Sequence, residues 1–287
     1  MDLDKKRIEA AKILIDNSPI EDFEGFSSSD MRYLIITPFS KDSPFQINKK
    51  IPNSILDQIP IFNQIEFLLN KINEVGELKL TATGSLPTTL VKEIYNMGLI
   101  KDEDIENGIT KLYAETSSQP IQLTRLITEM AGFTKKRYNR LSLTKTWKDR
   151  LSKNNRQEIF EQTFSTFTFK FTWGYFDRYE SQAAGQSGFP FSLFLLSKYG
   201  DDERLDSFYS EKYLRAFPGL IDQFYDNLNW ARDANKSFNS CYSIRTFDRF
   251  LNYFNLITIR TEGRSYHDSK KFIKKTAIFD DVMTFDN

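Results

Sequence analysis

The sequence is poor in the residues that most often hold metals. It has a single cysteine, Cys241, and a single histidine, His267. One cysteine cannot form an internal disulfide, and the two residues are too few for a structural zinc site, which takes four such ligands. No loop has the regular Asp, Asn and Gly spacing of a calcium site either. The sequence therefore predicts no metal and no cofactor.

An excess of one charge and a long apolar run are also missing. Lys plus Arg number 39 and Asp plus Glu number 39, so the formal net charge is zero. Such a chain has no overall field that attracts nucleic acid or an anionic membrane, and binding of that kind needs a local cluster. No apolar run approaches the ~20 residues of a membrane-spanning helix, and the first residues do not have the pattern of a signal peptide. We expect a soluble, cytoplasmic protein with no membrane partner.

Aromatic residues, by contrast, are abundant. The 287 residues include 26 Phe and 13 Tyr, and 40% of the chain is hydrophobic. A chain of this length is long enough for two or three compact units, and aromatic side chains supply a large buried area per residue. We expect these rings to form cores rather than a ligand-stacking surface, in a mainly α (α+β) protein whose units carry short β-hairpins.

Residues 59–152 contain the clearest local signals. An apolar stripe at helical spacing ends before Gly76 and consists of Ile61, Ile65, Leu68, Leu69 and Ile72. Leu78 and Leu80 then alternate with polar residues, as in a short strand. Pro87 stands where a further helix can begin. These signals predict the order helix, strand, helix.

The stretch LITEMAGFTKKRYNRLSLT, residues 126–144, changes character twice. An apolar helical stripe runs up to Gly132, which is a helix-ending residue. A basic, turn-like loop follows, RLSLT alternates as a strand does, and KTWKDRLS restarts a helix. This order is that of the C-terminal half of a winged-helix domain.

The end of the chain repeats this plan with a helical stripe, strands at LITIRT and KKFIKKT, and a turn at EGRS between them. We therefore predict N-terminal helices at 1–58 that pack on a winged-helix-like unit at 59–152. An aromatic-rich helical middle follows at 153–239, and a second winged-helix-like unit at 240–287. Within the middle, TFSTFTFKFTW alternates as a strand would, but we predict helix because its flanks are helical.

Two blocks of the chain are similar to blocks of a known family, LTxxGxLP and GLxxxxxxxLxLT. The matching positions are Leu80, Thr81, Gly84, Leu86, Pro87, Gly132, Leu141, Leu143 and Thr144. Over roughly residues 60–150 the chain thus resembles the C-terminal region of the open-reading-frame family named for the root-inducing pRiA plasmid. The resemblance implies a winged-helix-like architecture and a bacterial or mobile-element setting, and it implies no catalytic activity. The chain departs from the family at Thr146 and Trp147, where the family turns with Gly, and the family's compact N-terminal domain is not visible.

Basic charge around the second block is the best functional signal. The candidate nucleic-acid-binding residues are Lys135, Lys136, Arg137, Arg140, Lys145 and Lys148 at the first hairpin, with Arg264, Lys270 and Lys271 at the second. Each phosphate contact would release counterions and make binding more sensitive to salt. The alternative interpretation is a solvated surface, on which Lys and Arg also protect an edge strand. The preceding helix turns Gln122, Arg125 and Glu129 outward, a poor set for reading base edges.

Three functions are compatible with these patterns. A scaffolding or protein-interaction module, with a protein partner that the sequence does not identify, is the main prediction. Nucleic-acid binding through the basic hairpins is the alternative. The third is an enzyme with a pocket near residues 185–192, where small residues and Ser187 form a turn at a helix start. GQSGF is not a nucleophile elbow, because that pattern needs glycine at Phe189, so we assign no catalytic residue and expect no enzyme.

Overall fold

The computed structural model describes residues 16–179, 181, 183–225, 233–263 and 269–285. The helices are α1 (Ser28–Ile36), α2 (Asn53–Leu56), α3 (Pro60–Val75), α4 (Thr88–Asn96), α5 (Glu103–Glu106), α6 (Gln119–Met130), α7 (Lys145–Ser152), α8 (Arg156–Ser165), α9 (Phe189–Tyr199), α10 (Asp206–Ala216), α11 (Ala234–Tyr242) and α12 (Ala277–Val282). The strands are β1 (Phe45–Ile47), β2 (Glu77–Lys79), β3 (Thr134–Arg137), β4 (Arg140–Leu143), β5 (Arg204–Leu205), β6 (Ile257–Glu262), β7 (Lys270–Lys275) and β8 (Met283–Phe285). Two helices continue as π-helix, α8 through Thr166–Lys170 and α11 through Ser243–Leu251. Short 3₁₀ segments occupy Glu21–Phe23, Glu115–Ser117, Trp173–Phe176 and Pro218–Phe224.

The predicted fold class is confirmed: helices dominate, and the strands form small antiparallel sheets of two or three strands. The chain divides into two compact units. The central unit comprises Lys49–Phe176 and Tyr253–Asn255, and the terminal unit comprises Met1–Asn48, Asp177–Asn252 and Leu256–Asn287. Among the described residues, no helix has both the length and the apolar character needed to cross a bilayer.

The central unit follows the order α3, β2, α4, α5, α6, β3, β4. Its sheet has the order β2-β4-β3, so the strand that follows the first helix pairs with the second arm of the hairpin. Helix α3 begins with Pro60, and Gly76 follows its end with a φ of +73°. Gly132 follows α6 in the same way with a φ of +74°, a backbone conformation that favours glycine. The predicted helices, strand and hairpin of this region are confirmed.

Buried apolar stripes hold the central unit together. Helices α3 and α6 pack against each other, and the predicted stripe of α3 is buried at every position. Phe62 of α3 meets Phe160 of α8 edge-on, with ring centroids 6.1 Å apart. Such pairs add about 0.5–1.5 kcal/mol beyond the area that they bury.

The TFSTFTFKFTW stretch is helical up to Lys170, as predicted from its flanks, and the chain becomes extended at Phe171. Phe160, Phe164 and Phe167 recur every three or four residues and therefore lie on one side of α8 and its π-helical extension. All three pack on Phe254, with ring centroids 6.2, 5.1 and 5.3 Å from it. The helical period buries this side, and the alternation that resembles a strand has no structural counterpart.

The terminal unit repeats the element order of the central unit. Helix α9, strand β5, helices α10 and α11, and strands β6 and β7 follow one another, and the sheet order is β5-β7-β6. The sequence predicts only helix at β5, because two residues are too short to show alternation. The second copy of this element order therefore begins at residue 189, whereas the sequence predicts that the second winged-helix-like unit begins at residue 240.

The N-terminal region also differs from the predicted boundaries. The described residues up to 48 belong to the terminal unit, where α1 packs on α9 and β1 pairs with β8. Phe45 lies opposite Phe285 in that ladder. The sequence pattern instead predicts that residues 1–58 pack on the unit at 59–152. A pairing between segments this far apart leaves no trace in a local pattern.

Candidate nucleic-acid interface

The central hairpin, β3 and β4, turns through Tyr138 and Asn139. Their φ angles are +46° and +59°, the pattern of a type I′ turn, whose twist suits a two-residue hairpin. The Asn139 side-chain amide donates to the carbonyl oxygens of Leu80, at 3.3 Å, and Thr81, at 2.5 Å. The turn is thus fastened on one side to the chain that follows β2.

The strand register places three cations side by side on the sheet. Lys79 of β2 is opposite Arg140 of β4, and Arg140 is opposite Arg137 of β3. Residues directly opposite each other point to the same face, with Cβ atoms about 4.5–5.5 Å apart. Lys135 lies two residues before Arg137 and shares that face. We call Lys79, Lys135, Arg137 and Arg140 the cationic face; all four are exposed.

The opposite side of the sheet faces the core. Leu141 and Leu143 are buried there. Lys136 lies opposite Leu141, and so belongs to this side by alternation. From the edge strand its Nζ reaches the carbonyl oxygen of Gly84, at 3.4 Å. The structure therefore separates Lys136 from the other predicted binding residues of the hairpin.

Little acidic charge balances the cationic face. Arg140 lies 3.5 Å from Glu77, and both side chains are more than half exposed. An exposed pair of this type contributes about 0–1 kcal/mol. Lys79, Lys135 and Arg137 have no carboxylate partner among the described residues. Three of the four cations are therefore free for an external anion.

Helix α7 holds two further predicted cations next to the base of the hairpin. The buried Trp147 packs edge-on against Phe133, with ring centroids 4.4 Å apart. Thr144, just before α7, donates from its hydroxyl to the carbonyl oxygen of Gly132, at 2.9 Å. Lys145 and Lys148 project from the helix fixed in this way, exposed and without an ion pair among the described residues.

The outward side of α6 is occupied by its own ion pairs. Arg125 donates to the fully buried Glu115, at 2.6 Å, and also to Glu129 one helical turn later. Burial lowers the pKa of Arg125, but the bonds to both carboxylates outweigh this effect and raise it. Glu115 also accepts the backbone N–H of Leu86, at 2.6 Å, which ties α6 to the start of α4. Arg125 therefore holds the fold and is not free to read a base.

The residues that match the two family blocks also serve the fold. Leu80, Leu86, Leu141 and Leu143 are buried. Gly84 has a φ of +80°, and a Cβ there would collide with the end of the Lys136 side chain. The matched positions thus form the turns and the core. Lys135, Arg137 and Arg140 lie at positions that the second block leaves variable, and Lys79 lies just before the first block.

Four of the five cations on the strands of the terminal hairpin, β6 and β7, pair with or face an acidic residue, and the fifth, Lys274, has no ion pair among the described residues. Arg260 pairs with Glu203, at 2.7 Å, and with Glu262. The ion pair between Lys271 and Asp248 measures 2.6 Å. Lys270 lies directly opposite Glu262 in the ladder. Of the predicted binding residues, Arg264 lies outside the described residues, while Lys270 and Lys271 both face acidic neighbours.

Tight packing surrounds the stretch predicted as an enzyme pocket. A Cβ on Gly188 would collide with the ring of Phe217 and the hydroxyl of Tyr213. Ser192 is buried and accepts a hydrogen bond from the Tyr242 hydroxyl, at 2.9 Å. The rest of α9 up to Leu196 is buried as well. Within the described ranges, no group of three or more His, Cys, Asp or Glu residues is arranged to hold a metal ion.

A cavity of about 530 Å³ does lie elsewhere in the terminal unit, lined by Glu24, Phe26, Asp30, Phe194, Lys198 and Phe285 among others. Its carboxylate at Glu24 is already bonded by Lys212, Tyr199 and Lys198. Burial raises the pKa of Glu24, but these hydrogen bonds outweigh it and lower the pKa. The carboxylate is therefore held in its charged form by the protein itself.

The terminal unit also contains a buried ion pair. Arg245, fully buried on the π-helix after α11, donates two hydrogen bonds to Asp177, each 2.8 Å long. It donates as well to the carbonyl oxygen of Ser181, at 2.6 Å. Arg249 adds a third bond to Asp177, at 3.1 Å. This cluster anchors the chain that precedes α9.

Lys79 is the one member of the cationic face that is not among the binding residues predicted from the sequence. It lies about sixty residues before the hairpin, and only the pairing of β2 with β4 brings it beside Arg140. The alternation of Leu78 and Leu80 was the available signal, because it turns Lys79 to the solvent side of the predicted strand.

Comparison with known proteins finds no match: no family model, curated protein or solved structure corresponds to this chain.

Proposed function

We propose that the central unit binds double-stranded DNA through the phosphate backbone, using the cationic face together with Lys145 and Lys148. Phosphate contacts by Lys and Arg supply most of the affinity of binding that does not depend on sequence. The expected dissociation constant at physiological salt is roughly 10⁻⁴ to 10⁻⁶ M, the range of such binding.

One observation carries the proposal: Lys79, Arg140 and Arg137 lie in one row across three strands. Like charges directly opposite each other destabilise a sheet, so this arrangement works against folding. An anion in front of the row removes the repulsion. The terminal hairpin shows the alternative, since there Lys270 faces Glu262 and Arg260 is bonded to two carboxylates.

The order of elements supports duplex DNA as the ligand. Apart from the additional four-residue helix α5, the order helix, strand, helix, helix and hairpin, with the first strand beside the second arm of the hairpin, resembles that of a winged-helix domain. The resemblance to the pRiA-plasmid family points the same way. A scaffolding or protein-interaction role ranks second, because no contact in the described residues favours a protein partner over phosphate.

The test compares two variants that lower the net charge equally. Arg137→Glu with Arg140→Glu cancels the net positive charge of the four residues of the cationic face, and Lys270→Glu with Lys274→Glu changes the charge of the terminal hairpin by the same amount. Fluorescence anisotropy with a labelled duplex of random sequence measures binding, and thermal unfolding checks that both variants fold. We expect the first variant to lose at least tenfold in affinity and the second to bind like the wild type.

Equal binding by both variants and the wild type would reject the proposal. Equal losses in both would show that total charge matters and that the cationic face does not. A partner protein that is isolated with the chain, stays bound after nuclease treatment and is lost in the Arg137 and Arg140 variant would favour the protein-interaction role over DNA binding.

A further inference from the structure

We infer that Tyr138 stacks on an exposed base at a duplex end or at a junction between double-stranded and single-stranded DNA. The inference rests on the proposed function, because the cationic face is what brings the DNA backbone to the hairpin. It adds a preference for DNA with an exposed base face over uninterrupted duplex, which phosphate contacts alone do not provide.

Tyr138 is presented to solvent more completely than any other large hydrophobic side chain that the structure describes. It is 98% exposed at the tip of the central hairpin. The ring has no hydrogen bond or ring contact within the described residues, so its position contributes nothing to the core.

The backbone at Tyr138 also works against the fold. A φ of +46° is uncommon for a bulky residue, whereas Asn, Asp and Gly adopt it readily. Type I′ turns favour Asn-Gly for this reason. The chain thus places a residue poorly suited to the turn where its side chain is almost fully exposed, a pattern that is typical of functional sites.

The turn at the tip of the central hairpin is bonded to the segment after β2 through residues other than Tyr138. Asn139, the other turn residue, bonds to the carbonyl oxygens of Leu80 and Thr81. Lys136 reaches Gly84 in the same loop. These bonds hold the turn rigid while the Tyr138 ring stays free, and a ring held in this way loses little entropy when it stacks.

The neighbouring charges define the ligand. Arg137 and Arg140 flank the turn directly, so a ring that extends beyond them meets the nucleic acid whose phosphates they bind. Inside an intact duplex the base faces are covered, and opening a step costs a few kcal/mol. At an end or a fork one base face is already exposed, so stacking there carries no such cost. Stacking is also tolerant of sequence, because every base has a π-face.

The experiment uses three DNA molecules: one covalently closed circular duplex without ends, one linear duplex with blunt ends, and one linear duplex with a single fork, compared at equal concentration of base pairs. A 2-aminopurine at the terminal pair of the last two reports stacking by fluorescence quenching. We expect the wild type to bind the fork more tightly than the closed duplex and to quench the probe. Tyr138→Ala should bind the fork about five- to 100-fold more weakly, the usual effect of removing a base-stacking aromatic.

Tyr138→Asn is the second variant, since asparagine suits the turn and cannot stack as a ring does. We expect it to melt at or above the wild-type temperature and still to lose the preference for the fork. If both variants bind all three molecules as the wild type does, while Arg137→Glu with Arg140→Glu abolishes binding, the inference is wrong and the proposed function stands. If the wild type binds none of the three, both are wrong.

Discussion

Arg137 lies directly opposite Arg140 across the central hairpin, and Lys79 continues the row on the next strand. In the terminal hairpin the corresponding ladder sets Lys270 against Glu262. Two hairpins with the same place in the element order thus have opposite charge designs. In the terminal hairpin charges of opposite sign lie opposite each other, whereas in the central hairpin like charges do, the arrangement on which the proposed DNA binding rests.

This difference predicts opposite effects of one type of substitution. Arg137→Thr removes a repulsion and should stabilise the central unit by about 0.2–1 kcal/mol, while weakening DNA binding. Lys270→Thr removes an attraction and should destabilise the terminal unit by a similar amount. Chemical denaturation of the two variants checks the signs, and equal signs would contradict the charge comparison.

Glu115 should be the most sensitive polar residue of the central unit. Glu115→Ala leaves the Leu86 N–H without an acceptor and takes one of two carboxylates from Arg125. We expect a loss of about 3–5 kcal/mol in the free energy of unfolding, as when a buried pair loses one member. Glu129→Ala is the matched control: Glu129 bonds to the same arginine but is partly exposed, and should cost about 1 kcal/mol or less. Similar costs for both would show that burial of Glu115 does not matter.

The buried pair of Arg245 and Asp177 should behave as one unit. Asp177→Asn and Arg245→Met should each destabilise the terminal unit by about 3–5 kcal/mol, because each removes one charge of the buried pair and leaves the other uncompensated or, for Asp177, with Arg249 as its cation partner. The double variant should cost clearly less than the sum, with a coupling of about 0.5–3 kcal/mol. Additive losses in urea denaturation would contradict the coupling.

Cys241 should be inert in the folded protein. The thiol is fully buried, and burial raises its pKa from 9.0 to about 12. The folded state therefore holds this proton up to about pH 12, whereas the unfolded chain loses it near pH 9, so the contribution of Cys241 to stability falls as the pH rises between these values. A thiol reagent at pH 8 should label the protein only in denaturant, and rapid labelling without denaturant would contradict the burial.

The sequence predicts the fold wherever the spacing of apolar residues along a helix or strand determines which of its sides is buried. The stripe from Ile61 to Ile72, the stop at Gly132, the central hairpin and the two strands of the terminal hairpin are found as predicted, while the predicted turn at EGRS lies partly outside the described residues. Local patterns fail where pairing joins distant segments, as in β1 with β8 and β5 with β7. Two- and three-residue strands are too short to show alternation, and their partners lie tens to hundreds of residues away.

The candidate site is predictable only in part, for the same reason. The basic run from Lys135 to Arg140 is visible in the sequence, but not which of its members share a face. The register separates Lys136 from its neighbours and adds Lys79. The neutralisation of Lys271 by Asp248 likewise depends on contacts between elements.

The salt dependence of DNA binding tests the central claim most directly. The logarithm of the association constant should fall with the logarithm of the salt concentration with a slope of about −0.9 per phosphate contact, so about −5 for the six proposed cations of the wild type. In the variant Lys79→Thr, Arg137→Thr, Arg140→Thr the slope should become shallower by about 2 to 3. An unchanged slope in that variant would show that the three aligned cations do not contact phosphates.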